Sequence, residues 1–252
     1  MTRILDIESL TKGFTLHHLG NELETFNNIS FSLDAGEFVL LKGANGAGKS
    51  TLLRTLYRSY LPRAGKVRFQ SSHGEIDLAC AADVDVAHIR KTELGFVTQF
   101  LTARPRVSAE AIVAEPLRQA GVATDEALDQ AREALQVFGV KPDLWRAYPT
   151  TFSGGEQQKV NLARELILPR KLLLLDEPTA SLDAKAREAL VTRLKALKDG
   201  GTAMIGVFHH PDDVLHLIDR IVDLTPEYTH SEERSDVCLL YTSPSPRDLS
   251  TS

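Results

Sequence analysis

The run Gly43-Ala44-Asn45-Gly46-Ala47-Gly48-Lys49-Ser50-Thr51 has the spacing G-x-x-x-x-G-K-[ST]. In such a run a glycine-rich loop and the start of the next helix turn backbone N–H groups toward phosphate oxygens. Lys49 would then reach the β- and γ-phosphates, and the Ser50 hydroxyl would hold Mg²⁺. A second run, Leu172-Leu173-Leu174-Leu175-Asp176-Glu177, is an apolar strand ending in two acids. A buried strand of this kind delivers carboxylates to a metal–phosphate site. Asp176 suits Mg²⁺, through water, while Glu177, one position on and pointing differently, can polarise an attacking water. Two acids closing a strand are commonplace and often only solvated. The upstream loop is what gives these two a phosphate to act on, and together the two runs predict Mg²⁺-dependent hydrolysis of a nucleotide.

Both runs need elements to hold them. Glu37-Phe38-Val39-Leu40-Leu41 is a short apolar stretch, as in a strand buried on both faces. After the loop, Leu52, Leu53, Leu56 and Tyr57 recur at helical spacing, so a helix is expected to begin at Lys49 with its positive end toward the anion. Residues 3–9 and 29–42 read as strands interrupted by the turn Asp34-Ala35-Gly36-Glu37, and Lys66–Gln70 as a further strand, which places an antiparallel layer near the N-terminus. Residues 108–119, 124–138 and 142–148 read as helical segments separated by Gly and Pro, a helical insertion spanning about residues 100–155. Helix over 155–168, strand over 171–175, helix over 184–198 and strand over 203–208 then alternate, the pattern of a mostly parallel sheet with helices on its faces. From about Tyr228 the periodicity stops and the chain ends in a Ser/Pro-rich stretch, so residues 227–252 are left out of the fold as a non-native or solvated tail.

Composition narrows the class. The 252 residues suit one large α/β domain or two small ones, and 42% apolar with 25% charged residues is ordinary for a chain that buries a core. A formal charge of −5 argues against a broad nucleic-acid-binding surface. No apolar run approaches the roughly eighteen residues of a membrane span, and the N-terminus has no secretory core, so a cytoplasmic protein without direct membrane insertion is expected. Cys80 and Cys238 do not have metal-ligand spacing, and Cys80 reads as a structural thiol.

A third string lies between the two phosphate-site runs: Thr151-Phe152-Ser153-Gly154-Gly155-Glu156-Gln157-Gln158. Taken alone, Ser153 with Gly154 and Gly155 is either a second anion cradle at a helix start or a Ser-Gly turn capping that helix. In company with the loop and the acidic strand it resembles the signature motif of ATP-binding-cassette ATPases. That family implies an α/β cassette with a phosphate-loop parallel core, an N-terminal antiparallel layer and a helical subdomain, here over residues 1–226. It implies an ATP hydrolase using ATP and Mg²⁺, in which Ser153, Gly154, Gly155 and Glu156 complete the phosphate site of a second cassette, so that a homodimer or heterodimer is the working unit. By the same resemblance Phe14 stacks on adenine, although an ordinary core aromatic is the plain alternative. Gln99 contacts Mg²⁺ and water and reports to a partner, Ser181-Leu182-Asp183 crosses the dimer interface, and His209 is the switch histidine beside the γ-phosphate. The catalytic set is thus Glu177, His209, Lys49 and Gln99. One position departs from the family: His210 stands where an acid is common, which leaves open how the loop after His209 is held.

A finer resemblance rests on Phe14-Thr15-Leu16-His17, Ile89-Arg90-Lys91-Thr92, Gln99-Phe100-Leu101, Arg104-Pro105-Arg106-Val107-Ser108-Ala109, Thr151 to Val160, and Asp176 to Lys185. These are similar to the PhnL-type cassette of the bacterial carbon-phosphorus lyase system over about residues 3–224. That implies a soluble ATPase subunit acting beside other lyase subunits, where ribose 1-methylphosphonate 5-triphosphate is made, although no residue here is assigned to breaking a glycosidic bond. The alternative is the ATP-binding subunit of a membrane transporter of the lipoprotein-release or importer type. A catalytically silent scaffold is weaker, since Lys49, Asp176, Glu177 and His209 are all present.

Overall fold

A computed structural model describes residues 2–16, 21–98 and 104–224. Gln99 and the segment 227–252 therefore lie outside the described residues. Among the described residues nine strands form two sheets. The antiparallel sheet holds β1 (Arg3–Leu16), β2 (Asn21–Asp34), β4 (Ala64–Ser71) and β5 (Gly74–Asp77) in the order β2-β1-β4-β5. The parallel sheet holds β3 (Phe38–Lys42), β6 (Leu94–Val97), β7 (Leu172–Asp176), β8 (Ala203–Val207) and β9 (Arg220–Asp223) in the order β6-β7-β8-β3-β9. Six α-helices cover them: α1 (Lys49–Leu56), α2 (Asp83–Thr92), α3 (Ala109–Gln119), α4 (Thr124–Val137), α5 (Gly154–Leu166) and α6 (Ala184–Asp199).

The uninterrupted apolar runs make sense once the parallel sheet is seen to separate two cores. Side chains alternate across a strand, so Phe38, Leu40, Leu173, Leu175 and Met204 face a core shared with α3, α4, α5 and α6. Their neighbours Val39, Leu41, Leu172, Leu174, Ala203 and Ile205 face a second core shared with α1 and the antiparallel sheet. Each of these residues is at most 6% exposed, and burying one aliphatic side chain contributes about 1.5–3 kcal/mol. The sheet therefore clamps β3 and β7, the strands that carry the two phosphate-site runs, from both sides. Among the described residues no helix is long and apolar enough to cross a membrane.

The expected α/β cassette architecture is observed, with three local differences. The first hairpin is much longer than read, because Gly13 and Phe14 still pair with Glu24 and Leu23 although the stretch lacks apolar alternation. Residues 142–148 are not an α-helix: Pro142–Leu144 form a single 3₁₀ turn, and Pro149 starts another over Pro149–Thr151. Pro149 cannot supply the N–H that a continuing helix would need. The sequence left β5, α2, β6 and β9 unassigned. All are short, and α2 buries only Val86 and Ile89.

Gly65 marks where β1 and β4 cross. Its φ is +96°, and a Cβ there would lie 2.6 Å from Glu8 O, Ser9 O and Leu10 Cα. The β1–β4 register shifts between Glu8 and Thr11 at this point. Gly65→Ala combines a left-handed backbone with a backbone clash and should destabilise the protein by about 2–4 kcal/mol, measured as a lower urea midpoint.

Candidate functional site

The loop between β3 and α1 is shaped by glycines in the left-handed region: Gly43 at φ 146°, Gly46 at 87° and Gly48 at 88°. Gly48 is the N-cap of α1, where a Cβ would meet Thr25 Cγ2 and Thr25 O at 2.9 Å. It supplies no side-chain cap, and the first turn of α1 carries no acid. The N–H groups that begin a helix lack intrahelical acceptors, so this end of α1 offers donors and positive potential to an anion. Lys49 folds back over the loop, its Nζ donating to Gly43 O at 2.7 Å and Ala44 O at 2.9 Å.

Across from the loop, the Ser50 hydroxyl donates to Asp176 Oδ1 at 2.7 Å. Asp176 is 5% exposed at the end of β7. Glu177 then breaks the strand at φ 51°, while its N–H still donates to Val207 O at 3.0 Å. The reversal turns Glu177 into a cleft of about 420 Å³ that it lines with Gly43, Asn45, Lys49 and His209. A smaller hollow of about 230 Å³, lined by Gly46, Gly48, Lys49, Ser50, Thr51 and also Glu177, adjoins the same loop. His209 Nε2 stands 3.9 Å from Glu177 Oε1. Lys49, Glu177 and His209, spread over 160 positions of sequence, thus line one cleft, and Ser50, bonded to Asp176, lines the adjoining hollow with Lys49 and Glu177.

The donor set fits Mg²⁺. Among the described residues no group of three or more His, Cys, Asp or Glu could hold a metal on its own, whereas a hydroxyl and one carboxylate already in contact are what a small hard cation uses alongside substrate phosphates and water.

Phe14 sits in neither core. Its ring meets Tyr60 edge-on at 5.3 Å, Lys12 Nζ lies 4.5 Å from its centroid, and a hollow of about 530 Å³ opens beside it between Thr11–Phe14, Glu24 and Leu61–Arg63. Phe14 lies two residues from the end of β1, as the plain alternative of an apolar residue near a strand end also has it. Tyr60 and Lys12 were not singled out from sequence, and only their pairing across 48 residues could have marked them.

Ser153 is the N-cap of α5, with a reciprocal capping box. Glu156 N donates to Ser153 Oγ at 3.4 Å, and Ser153 N and Oγ donate to Glu156 Oε2 at 2.9 and 2.6 Å. Those bonds from Ser153, with Lys141 and Lys159 nearby, hold the Glu156 carboxyl below its ordinary range. Gly155 packs so closely on the Ser181 turn that a Cβ would lie 2.9 Å from Ser181 O. Lys159 grips Asp183 at 2.5 Å, and Asp183 caps α6 by accepting from Ala186 N at 2.8 Å. The bond from Lys159, and then that from Ala186, lowers the Asp183 carboxyl as well. The capping reading of the Ser-Gly string is the one these bonds describe, and the same helix start packs on the Ser181–Asp183 turn. None of Ser153–Glu156 lines the clefts at Lys49.

His210 does not replace the missing acid. Its ring lies 6.0 Å from that of His209. The loop is held instead by the 3₁₀ turn Pro211–Asp213, by Arg187 at 3.6 Å from Asp213, and by the fully buried Val214.

Residues 26–180 match the family model for ABC transporters. The chain is 36% identical over 211 residues to the lipoprotein-releasing system ATP-binding protein LolD of Geobacter metallireducens, covering 83% of this chain and 91% of LolD. It is 32% identical over 212 residues to an ABC transporter ATP-binding protein of Mycobacterium tuberculosis, covering 84% of this chain but only 62% of that protein's length. Against the macrolide export ATP-binding/permease protein MacB of Shigella flexneri the identity is 32% over 89% of this chain, which spans 33% of MacB. Among solved structures, a dimeric bacterial ABC transporter cassette superposes with a TM-score of 0.79 at 27% identity, over 88% of this chain and 94% of the other. The same cassette in a dimeric post-hydrolysis state, bound to ADP and Pi, also gives 0.79, at 26% identity over 89% and 97%.

Glu156 is a direct probe of the capping box. A depressed carboxyl stabilises the fold above its ordinary pKa and loses that contribution as pH falls through the folded value. Ser153→Ala should therefore move the Glu156 titration up toward the ordinary carboxylate range, read by NMR. An unmoved titration would place the cause elsewhere.

Proposed function

We propose that this chain, which belongs to the ABC transporter ATP-binding cassette family, is a MgATP hydrolase that works as a cassette dimer. The observation that carries this is the convergence of Lys49, Glu177 and His209 on one cleft at the start of α1, with Ser50 in the adjoining hollow and bonded to Asp176. The loop 43–51 binds the phosphates through its N–H groups, and Lys49 leaves its carbonyl contacts to pair with the β- and γ-phosphates. Ser50 and Asp176 would hold a Mg²⁺ ion, which would supply neutralising charge toward the phosphates. Glu177 orients the attacking water and takes its proton as the new P–O bond forms and the β–γ bridge breaks, releasing ADP and phosphate. His209 supports that arrangement from 3.9 Å away. Phe14 receives the adenine, with Lys12 displaced from its ring. Gln99 contacts the metal and the partner.

The dimer follows from the placement of the signature residues. Ser153–Glu156 line no part of the clefts at Lys49 in their own chain, so their helix start is free to complete the phosphate site of a second cassette, with Ser181–Asp183 at the seam. Residues 1–226 make up the working cassette.

On what the ATPase drives, the ATP-binding subunit of a membrane transporter is the better supported reading, because relatives 36% and 32% identical over the aligned stretches are named for lipoprotein release and macrolide export. The cassette would then sit on a permease at the cytoplasmic face. A second reading, the PhnL-type subunit of a carbon-phosphorus lyase assembly, rests on the strings at residues 14–17 and 99–101 with those at 89–92 and 104–109, since the strings at 151–160 and 176–185 are shared widely among cassettes. Affinity purification of residues 1–226 carrying Glu177→Gln with MgATP separates the two. Recovery of an integral membrane permease is expected, and recovery of lyase subunits without one would replace the transporter by the lyase assembly.

Glu177→Gln keeps the shape of the side chain and removes the base. ATP binding should be retained and steady-state hydrolysis should fall at least about a hundredfold. Near-normal turnover would remove Glu177 from that role.

A further inference from the structure

Gln158 lies one turn into α5 and is 1% exposed. Its Nε2 faces two backbone carbonyls from different parts of the chain, Thr98 O at 3.3 Å and Pro178 O at 3.4 Å. Three positions along the same helix face, Asn161 Nδ2 donates to the same Thr98 O at 2.9 Å. Thr98 closes β6, immediately before Gln99, and Pro178 follows Glu177 directly. The side chain of Gln158 therefore bridges the signature helix, the entry to the Gln99 segment and the residue after the proposed base.

We infer that Gln158 is a positioning residue for Glu177, holding the Pro178 carbonyl so that the left-handed Glu177 keeps its carboxylate aimed into the cleft. The inference rests on the proposed role of Glu177 and adds to it the group that sets its geometry. The backbone around Glu177 has few other restraints: its N–H donates to Val207 O at 3.0 Å, and its carbonyl accepts from Ala180 N at 3.2 Å. A left-handed non-glycine residue persists only where its surroundings over-determine it, and Gln158 supplies the restraint from the helical side.

Both Gln158 bonds, at 3.3 and 3.4 Å, lie just beyond the usual N–H···O range, and its Oε1 has no hydrogen-bond partner among the described residues. Removing the amide would leave Thr98 O with Asn161 but would take this donor from Pro178 O, and a buried carbonyl stripped of its donor costs about 1–3 kcal/mol.

The test uses the full chain and its basal ATPase. Gln158→Leu and Gln158→Met should each lower the melting temperature by about 2–12 °C, the cost of the unpaired Pro178 carbonyl, and keep KM for MgATP within about twofold. In both, kcat of the folded enzyme, measured well below the melting temperature, should fall at least about tenfold, since a small misplacement of a reacting group is costly. Combined with Glu177→Gln, neither substitution should lower the residual rate further, because the group being positioned is gone. Unchanged kcat in both variants, or a further fall of the residual rate in both double variants, would overturn the inference. Near-normal turnover in Glu177→Gln alone would instead overturn the base assignment and the inference with it.

Discussion

The site depends on one hydrogen bond between distant parts of the chain, from the Ser50 hydroxyl to the Asp176 carboxylate. Asp176 ends a strand whose other four residues are fully or almost fully buried leucines. A carboxylate carried to that depth must find a polar partner or a cation. Ser50, in the first turn of α1, is the partner, so the helix that follows the glycine loop is tied to the strand that ends in the two acids. The two-core packing follows from the same need. β3 and β7 stay in register across β8 only because apolar side chains fill both faces of the sheet.

A second set of contacts ties the signature helix to this centre without lining it. Ser153 and Glu156 close the helix start on itself. Gly155 admits the Ser181 carbonyl, Lys159 holds Asp183, and Gln158 and Asn161 reach Thr98. Gly155, Gln158, Lys159 and Asn161 thus reach two other segments, the Ser181–Asp183 turn and Thr98 after β6. Such a helix cannot move as a rigid body without disturbing both together.

Much of the site was legible because its motifs are contiguous. The residues 43–51 and 172–177 carry their function in local spacing, and strand and helix on either side follow from short apolar runs. The long hairpin of β1 and β2 was not legible beyond Ser9, since Thr11–Phe14 and Glu24–Asn28 hold together by cross-strand pairing and not by alternation. Lys12 and Tyr60 escaped for a related reason: a cation over a ring leaves no trace in spacing. Gln158 was read only as part of a motif string, because the carbonyls it grips, Thr98 and Pro178, lie 60 and 20 positions away.

What the amino-acid order determined by itself is the chemistry available: a glycine loop able to take left-handed torsions, a lysine and a serine at a helix start, two acids at the end of an apolar strand, and a capping serine before two glycines. These depend on neighbours within about one turn or one strand, where backbone geometry dictates what each residue type can do. The tertiary structure decided which of them share a site. Burial against both faces of the parallel sheet brings Ser50 to Asp176, turns Glu177 toward His209, leaves Ser153–Glu156 outside the clefts at Lys49, and hangs the His209 loop on Arg187 and Val214 instead of an acid at position 210. Those choices are made by packing between segments far apart in sequence.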